Sequence, residues 1–495
     1  MKNFSVNNFS GGMNEIIHPA LLENKTATLL MDAVLDDGKI VAIKMPEALT
    51  DTDPTHYGHY GTRNRSVVKW YNRTYWSNND ATTGGYYGGD VEGLGVPYPA
   101  SQPEVTAESP GEGETGLTGD FKYCMCYVNA NGWEGAPGSL TDYEVSVTLS
   151  NQFAKVTPQG ELPAGVAYIK VYRTQDHGAD FYCVGEIHSP ATYLVDKVAD
   201  TEVVYMEPLT SQDNYPPPDR GKYLTESGGV FFLAVGDRLY FSAQGNPHAW
   251  PTLNFIGIDN TISGITPEFQ GVLVFTANNT FRVVGAADAE TVTKTLIPGN
   301  QGCVNYRSIA HVSNAPIWLS NDGICLWDGN GISLVSQQTI QTTGLQVKYA
   351  VSANDCYYLF LTNGAIVFDR RNGDVFHKLS FSCEYAWYDA DADRMYLQRT
   401  NELLLFAAGL PGRFVYRTPH IGGSEMLTKT YREMLIAGAG AASVRASLDG
   451  AELFTVDIPA VGRSRIKFPH SSVGRAMQVE IQGLGRLDEL AVTYE

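Results

Sequence analysis

The sequence has no apolar run approaching the roughly 18–20 residues of a membrane span. Its start, Met1-Lys2-Asn3-Phe4-Ser5-Val6-Asn7-Asn8, is too polar for a secretory leader. A chain made in a cytoplasm and not inserted into a membrane is expected. Positive charge is scarce: 35 Lys+Arg stand against 54 Asp+Glu, a formal net charge of −19. No basic stripe with interleaved aromatics occurs, which argues against tight nucleic-acid binding. The seven Cys, at 124, 126, 183, 303, 325, 356 and 383, are odd in number and scattered, without the double pair of a zinc site. Cys124 and Cys126 lie two apart, so on a strand they share a face and do not easily bridge. Buried free thiols in a reducing compartment are expected.

Catalytic patterns are missing as well. There is no Gly-x-Ser-x-Gly elbow. Gly38-Lys39 and Gly221-Lys222 are followed by Ile40 and Tyr223, where a phosphate loop needs Ser or Thr. Gly422-Gly423-Ser424 follows no buried strand. His56 and His59 are three apart, but the surrounding Gly and Tyr place them in a loop, and no nearby His or Cys completes a metal site. Asp389, Asp391 and Asp393 alternate without the Gly and final Glu of a calcium loop, so a solvated turn is expected. Ser320-Asn321-Asp322-Gly323 with Trp327 resembles the structural turns of sialidase propellers, but Gly follows Asp directly, and a tight hairpin explains it. No catalytic, cofactor or metal residue is assigned, and no enzyme activity is expected.

What the sequence does have is turn and strand formers: 50 Gly, 24 Pro, 28 Tyr and 20 Phe, with 43% hydrophobic residues. β-branched and aromatic residues suit pleated strands, and Gly, Asn, Asp and Pro suit the turns between them. The chain reads as all-β. One hairpin recurs: Phe231–Ser242, Val272–Val284, Ile317–Trp327, Tyr357–Phe368 and Met395–Phe406, with turns at 237, 279, 322, 364 and 401. The steps of 42, 43, 42 and 37 residues fit a four-stranded propeller blade of roughly 40–50 residues. Two similar hairpins, Ala33–Ile43 and Val67–Trp76, lie upstream, so six or seven blades are expected. The turn residues singled out are Gly11, Gly12, Asp37, Gly38, Asp237, Asn278, Asp322, Gly323, Asn363 and Gly364.

Between the hairpins at 72 and 237 the spacing exceeds one blade by roughly 120 residues, an insertion. Alternating segments at 121–128, 144–149, 167–173, 180–187 and 191–196 fit an immunoglobulin- or fibronectin-like β-sandwich. Tyr215-Pro216-Pro217-Pro218 closes it as a stiff linker. The insert is acidic: residues 101–218 hold 17 Asp+Glu and 5 Lys+Arg, a net of −12, whereas 425–495 hold 9 and 8. The expected organisation is 1–100, first propeller blades; 101–218, the insert; 219–424, remaining blades; and 425–495, a small C-terminal β-sandwich.

Three phrases carry a family resemblance. Phe9-Ser10-Gly11-Gly12-Met13-Asn14, then His18-Pro19-Ala20-Leu21-Leu22 and Leu35-Asp36-Asp37-Gly38-Lys39-Ile40, resemble the opening of tail nozzle and DNA-stabilisation proteins of short-tailed bacteriophages. Asp237-Arg238-Leu239-Tyr240-Phe241-Ser242 with Gly245-Asn246-Pro247-His248-Ala249-Trp250-Pro251 is similar to a blade of that family, and the C-terminal Gln478–Tyr494 strand pair also resembles a type found in it. The resemblance implies a virion tail protein forming a homo-hexameric ring below the portal and adaptor. Such a ring extends the DNA channel, retains the packaged genome and opens for ejection. It also implies tail adaptor, fibre and plug partners, double-stranded DNA sliding without specific binding, and channel-facing loops depleted in Lys and Arg. Gate residues are not assigned, and the acidic insert departs from the family pattern. The competing reading is a carbohydrate-binding or glycan-hydrolysing propeller, tail-borne or secreted, using the aromatic cluster Trp70, Tyr71, Tyr75 and Trp76.

Overall fold

The computed structural model describes residues 1–54, 64–79, 87–89 (backbone only), 94–139, 142–286, 290–422, 427–460, 462–470, 472–483 and 485–495. The chain is all-β, with helix only as three-residue 3-10 turns among the described residues. It forms two compact units, residues 1–63 with 275–280 and 296–495, and residues 64–274 with 281–295.

Six propeller blades are present among the described residues. Blade I is Arg65–Trp70, Arg73–Asn78 and Tyr87–Gly89. Blade II is Lys222–Ser227, Val230–Val235, Arg238–Phe241 and Phe255–Gly257. Blade III is Ile262–Glu268, Gly271–Thr276, Thr280–Val284 and Thr293–Ile297. Blade IV runs from Ala310–Val312 to Ile332–Leu334, and blade V from Val347–Ala353 to Val375–Leu379. Blade VI comprises Tyr385–Asp389, Arg394–Arg399 and Glu402–Leu405, and the N-terminal strand Glu47–Ala48 supplies its fourth strand. In the second unit the first strands of blades I, II and III lie side by side, and in the first unit those of IV, V and VI do. The two middle strands of a blade are covered on both faces. Their sequences therefore run as unbroken apolar stretches, such as Val230–Val235 and residues 364–368, rather than alternating. These middle strands are the hairpins that recur at a forty-residue period.

The hairpin Ala33–Ile43 is not a blade, which corrects the expectation for residues 1–100. Ala33–Asp36 and Lys39–Ala42 join Lys2–Val6, Lys429–Ala439, Arg463–Lys467 and the short Val473–Gly474 around the C-terminal strand Arg486–Tyr494 in one seven-stranded sheet. The turn chemistry is as read: Asp37 and Gly38 have φ of 46° and 71°, both positive as in a type I′ turn. What a hairpin pattern does not carry is which sheet the hairpin joins. Nor is the sandwich confined to 425–495. Its second layer continues blade V, because Val375–Leu379 pairs in parallel with Leu29–Met31. The sheet then runs on through Phe414–Arg417, Met477–Gly483, Ala442–Leu448 and Ala451–Ile458. Phe4, Phe9, Leu30, Ile40, Tyr416, Met434, Val444, Val479 and Val492 form one buried core from both ends of the chain.

Among the described residues the insert has six strands. Leu117–Asn129 and Val145–Thr157, 13 residues each, change partners midway, and Val145–Thr157 passes in this way from one sheet to the other. Val145–Thr157 pairs first with Leu117–Asn129, then with Glu104–Glu108 and Leu194–Asp196; Leu117–Asn129 goes on to pair with Val166–Thr174. Phe121, Tyr123, Met125, Val156, Ile169 and Val171 fill the core. Within it, Arg173 and Asp196 meet at 2.8 Å with both side chains fully buried, and the Tyr123 hydroxyl donates to Asp196 at 2.8 Å. Burial pushes the Asp196 carboxyl above its ordinary pKa, and the Arg173 charge opposes the shift. Cys124 and Cys126 share the opposite face with Tyr172, Phe181 and Leu209, and all seven cysteines are free thiols.

Candidate functional site

The first resemblance phrase forms a clasp. Phe9 donates its N–H to the Gly38 carbonyl at 2.7 Å, and its ring meets Tyr416 edge-on at 5.2 Å. Gly12 has φ +61°, and a Cβ there would fall 2.5 Å from Cβ of Val375. Only glycine fits that approach at that backbone angle. Gly11 is equally close to Thr26 and the Lys25 carbonyl. Met13, buried, donates its N–H to the Phe376 carbonyl at 2.9 Å, and Ala27 donates to the Gly12 carbonyl at 2.8 Å. The phrase thus ties the N-terminus to blade V and to the sandwich. His18-Pro19-Ala20-Leu21 follows as a short 3-10 turn, with Nδ1 of His18 accepting from the Ala20 N–H. Beside it, His18, His420, Asp449 and Arg475 line a 630 Å³ surface cleft. The Asp449 carboxylate is already engaged by the N–H groups of Arg475 and Ala476.

The second phrase builds the joint between insert and blades. Ser242 is buried, accepting from the Phe231 N–H and donating to the Ala243 carbonyl. Trp250 Nε1 donates to the Pro247 carbonyl at 2.9 Å, closing the loop that presents His248. His248 Nδ1 accepts from the Gly95 N–H at 3.1 Å, so the ring proton sits on Nε2, which lies 3.4 Å from the Tyr75 hydroxyl. Trp133 of the insert packs on the same imidazole at 5.3 Å. Burial, with Arg73 adding to it, pushes the His248 pKa down to about 4, so the ring is neutral at pH 7. Arg73, at the start of the second strand of blade I, donates to Asn131 of the insert. The incoming and outgoing segments pack together: a Cβ on Gly95, at φ +88°, would lie 2.4 Å from Pro217. The proline linker is therefore packed, not a free spacer.

The insert uses up all its cations internally. Lys122 meets Glu144, Lys155 meets Glu108, Lys170 meets Glu134 and Glu207, Arg173 meets Asp196, and Lys197 meets Glu114. These are the five Lys and Arg of 101–218, so the surplus carboxylates face outward uncompensated by basic side chains of the insert.

The other turn residues serve the blades. Gly236, at φ +62°, and Asp237 form the two-residue loop between Val235 and Arg238. Asn278 accepts from Asn321 at 3.3 Å, joining the hairpin tips of blades III and IV. Asp322 accepts from Gln301, and Gly323, at φ +146°, leaves no room for a Cβ beside Ser336. Asn363 precedes Gly364, whose φ is +108° and whose Cβ would fall 2.4 Å from the Leu379 carbonyl. Asp389 caps its own turn through the N–H groups of Asp391 and Ala392, while Asp393 accepts from Tyr388 and Asn354. The three do not converge, and no group of three metal-ligating side chains occurs among the described residues. His56, His59, Gly423 and Ser424 lie outside the described residues. Of the aromatic cluster, Tyr75 is buried, Trp70 meets Phe231 edge-on, and Trp76 lies under Arg65; Tyr71 alone is fully exposed. Sequence reasoning missed His248 as a joint residue, although it stands between the Pro247 and Trp250 that shape its loop.

These features define a propeller-bearing all-β chain with two β-sandwiches. No protein-family model matches it, and no curated protein matches it. Solved structures similar to it include the extracellular domain of the one-component system BT4673 from B. thetaiotaomicron, at 11% identity and TM-score 0.28, covering 72% of this chain and 47% of that one. This chain thus spans about half the length of that protein. BamB from Moraxella catarrhalis is similar at 10% identity and TM-score 0.29, covering 74% and 99%. An exo-β-1,3-galactanase from Phanerochaete chrysosporium is similar at 9% identity and TM-score 0.21, covering 91% and 100%. At such TM-scores these likenesses decide neither activity nor partner.

Proposed function

We propose that this chain is a structural subunit of a short bacteriophage tail, part of a homo-hexameric nozzle ring that extends the DNA channel, retains the genome and opens for ejection. The clasp carries the reading: the phrase that resembles the nozzle family, Phe9–Asn14, contains the residues that bind the N-terminus to blade V and the sandwich. A subunit that holds packaged DNA gains from firmly paired strands, and Lys2–Val6 is paired along its whole length with Arg486–Tyr494. The job is gating and passage of DNA past a surface that does not grip it, not bond-making, and acidic surface suits that role. The adaptor above and fibres or a plug below are its proposed partners in the virion. The test is to count copies of this chain in purified tailed particles of the source organism by quantitative mass spectrometry. About six per particle is expected, and its absence from particles contradicts the reading.

One observation favours a glycan-binding surface instead. Tyr71 is 86% exposed at the tip of the first hairpin of blade I, with Trp70 beside it at 4.6 Å. An exposed aromatic ring backed by a half-buried one is the kind of platform sugars stack on. Saturable binding to host-surface polysaccharide that Tyr71→Ala removes would establish this reading.

A further inference from the structure

Two short strands, one in each compact unit, are open edges with opposite charge. Among the described residues, Arg463–Lys467 pairs on one side only, with Lys429–Ala439, and Glu104–Glu108 on one side only, with Val145–Thr157. Each leaves a row of backbone N–H and C=O groups free to pair with another strand. Along Arg463–Lys467 the outward positions are Arg463, Arg465 and Lys467, while Ile466 packs on the sandwich core. The two arginines are 71% and 66% exposed, and their nearest carboxylates, Glu489 and Glu433, are loose at 3.9 and 3.8 Å. Along Glu104–Glu108 the outward positions are Glu104, Thr106 and Glu108, while Val105 packs on the insert core.

We infer that the basic edge Arg463–Lys467 of one copy pairs with the acidic edge Glu104–Glu108 of a second copy. This inference rests on the ring reading and names its contact. Both strands have five residues, the carboxylates are four apart, and so are the outer cations. The antiparallel register Glu104 to Lys467, Thr106 to Arg465 and Glu108 to Arg463 sets each carboxylate opposite a cation, on one face. Arg465 then sits between the two carboxylates. The other acidic edge, Ala451–Ile458, also carries Glu452 and Asp457 on one face, but a bulge at Leu453 interrupts its ladder between them, so it offers no regular five-residue edge. Glu108 holds Lys155 loosely at 3.7 Å and Glu104 accepts from the Gln159 amide at 3.1 Å, so each carboxylate has room for a cation from another chain. Because the two edges are different surfaces, the contact is heterologous, the type that closes rings.

The test uses the full chain and two charge-reversed forms, R463E/R465E/K467E and E104K/E108K, with assembly followed by sedimentation in 0.1 M and 1 M NaCl. Either reversed form alone is expected to assemble about 100-fold or more weakly, since like charges then face each other. An equimolar mixture of the two is expected to regain assembly, because each then offers the other a complementary edge. If a reversed form fails to fold, a T106C/R465C chain replaces it: oxidation should link copies into a ladder through those two positions. A ring that forms equally well with either reversal, or no ladder, overturns the strand pairing and leaves the ring reading standing. A native chain that stays monomeric under all these conditions overturns both.

Discussion

The insert and the C-terminal sandwich are both two-sheet β-structures, but they are held together in different ways. The insert is contiguous in sequence, its strands pair with near neighbours, and its core includes a fully buried ion pair, Arg173–Asp196, with Tyr123 completing it. The sandwich draws strands from both chain ends and is filled by apolar side chains from Phe4 to Val492. Its register depends on partners some 490 residues apart, as in Lys2 opposite Tyr494. A local fold can rely on a few directional polar contacts. A fold assembled from distant segments depends on the area it buries and on glycines that let the segments approach.

The largest expected effect breaks the polar side of that comparison. Arg173→Ala leaves Asp196 buried without its cation and should cost about 3–5 kcal/mol, read as an earlier unfolding transition in urea. Replacing the pair together, Arg173→Met with Asp196→Leu, should be near neutral, because the desolvation penalty goes with the charges. On the apolar side, Phe9→Ala opens a cavity beside Tyr416 and should cost about 3–4 kcal/mol in thermal unfolding, without touching any charge.

Acid should sharpen the contrast further. His248 at the insert joint and His377 in blade V are both held neutral, burial pushing each pKa from 6.5 to about 4. The unfolded chain takes up these protons below about pH 6.5, but the folded chain only near 4. Stability is therefore intact at pH 7 and falls as pH drops from about 6.5 to 4, by about 2–3 kcal/mol for each histidine. His248→Phe should remove half of that slope, and a melting curve that does not move between pH 7 and 5 contradicts the assignment. The smallest effect is Lys197→Ala: its pair with Glu114 is solvent-exposed, so the same melts should hardly move.

The same comparison explains what could be read from the sequence. Five hairpins were legible because the middle strands of a blade are buried on both faces, and the turns between them carry Gly236, Gly323 and Gly364 at positive φ. The insert was legible because its strands alternate locally. Ala33–Ile43 looks like a blade hairpin in isolation, and nothing in its own residues shows that Ile40 sits opposite Leu487. The parallel pairing of Met31 with Lys378, and the use of Glu47–Ala48 to complete blade VI, are equally non-local. Of the site, the glycines of the clasp were singled out as turns. Their close approach to Val375 and Lys25 needed the fold, as did the meeting of Gly95, Trp133 and His248.

The central claim, that this chain is part of a phage tail, is tested most directly by gold-labelled antibody against residues 101–218, viewed on particles by electron microscopy. Gold at the narrow end of a short tail, before or after genome ejection, is the predicted result. Particles that carry no label in either state, while the antibody recognises free chain in the same lysate, would contradict it.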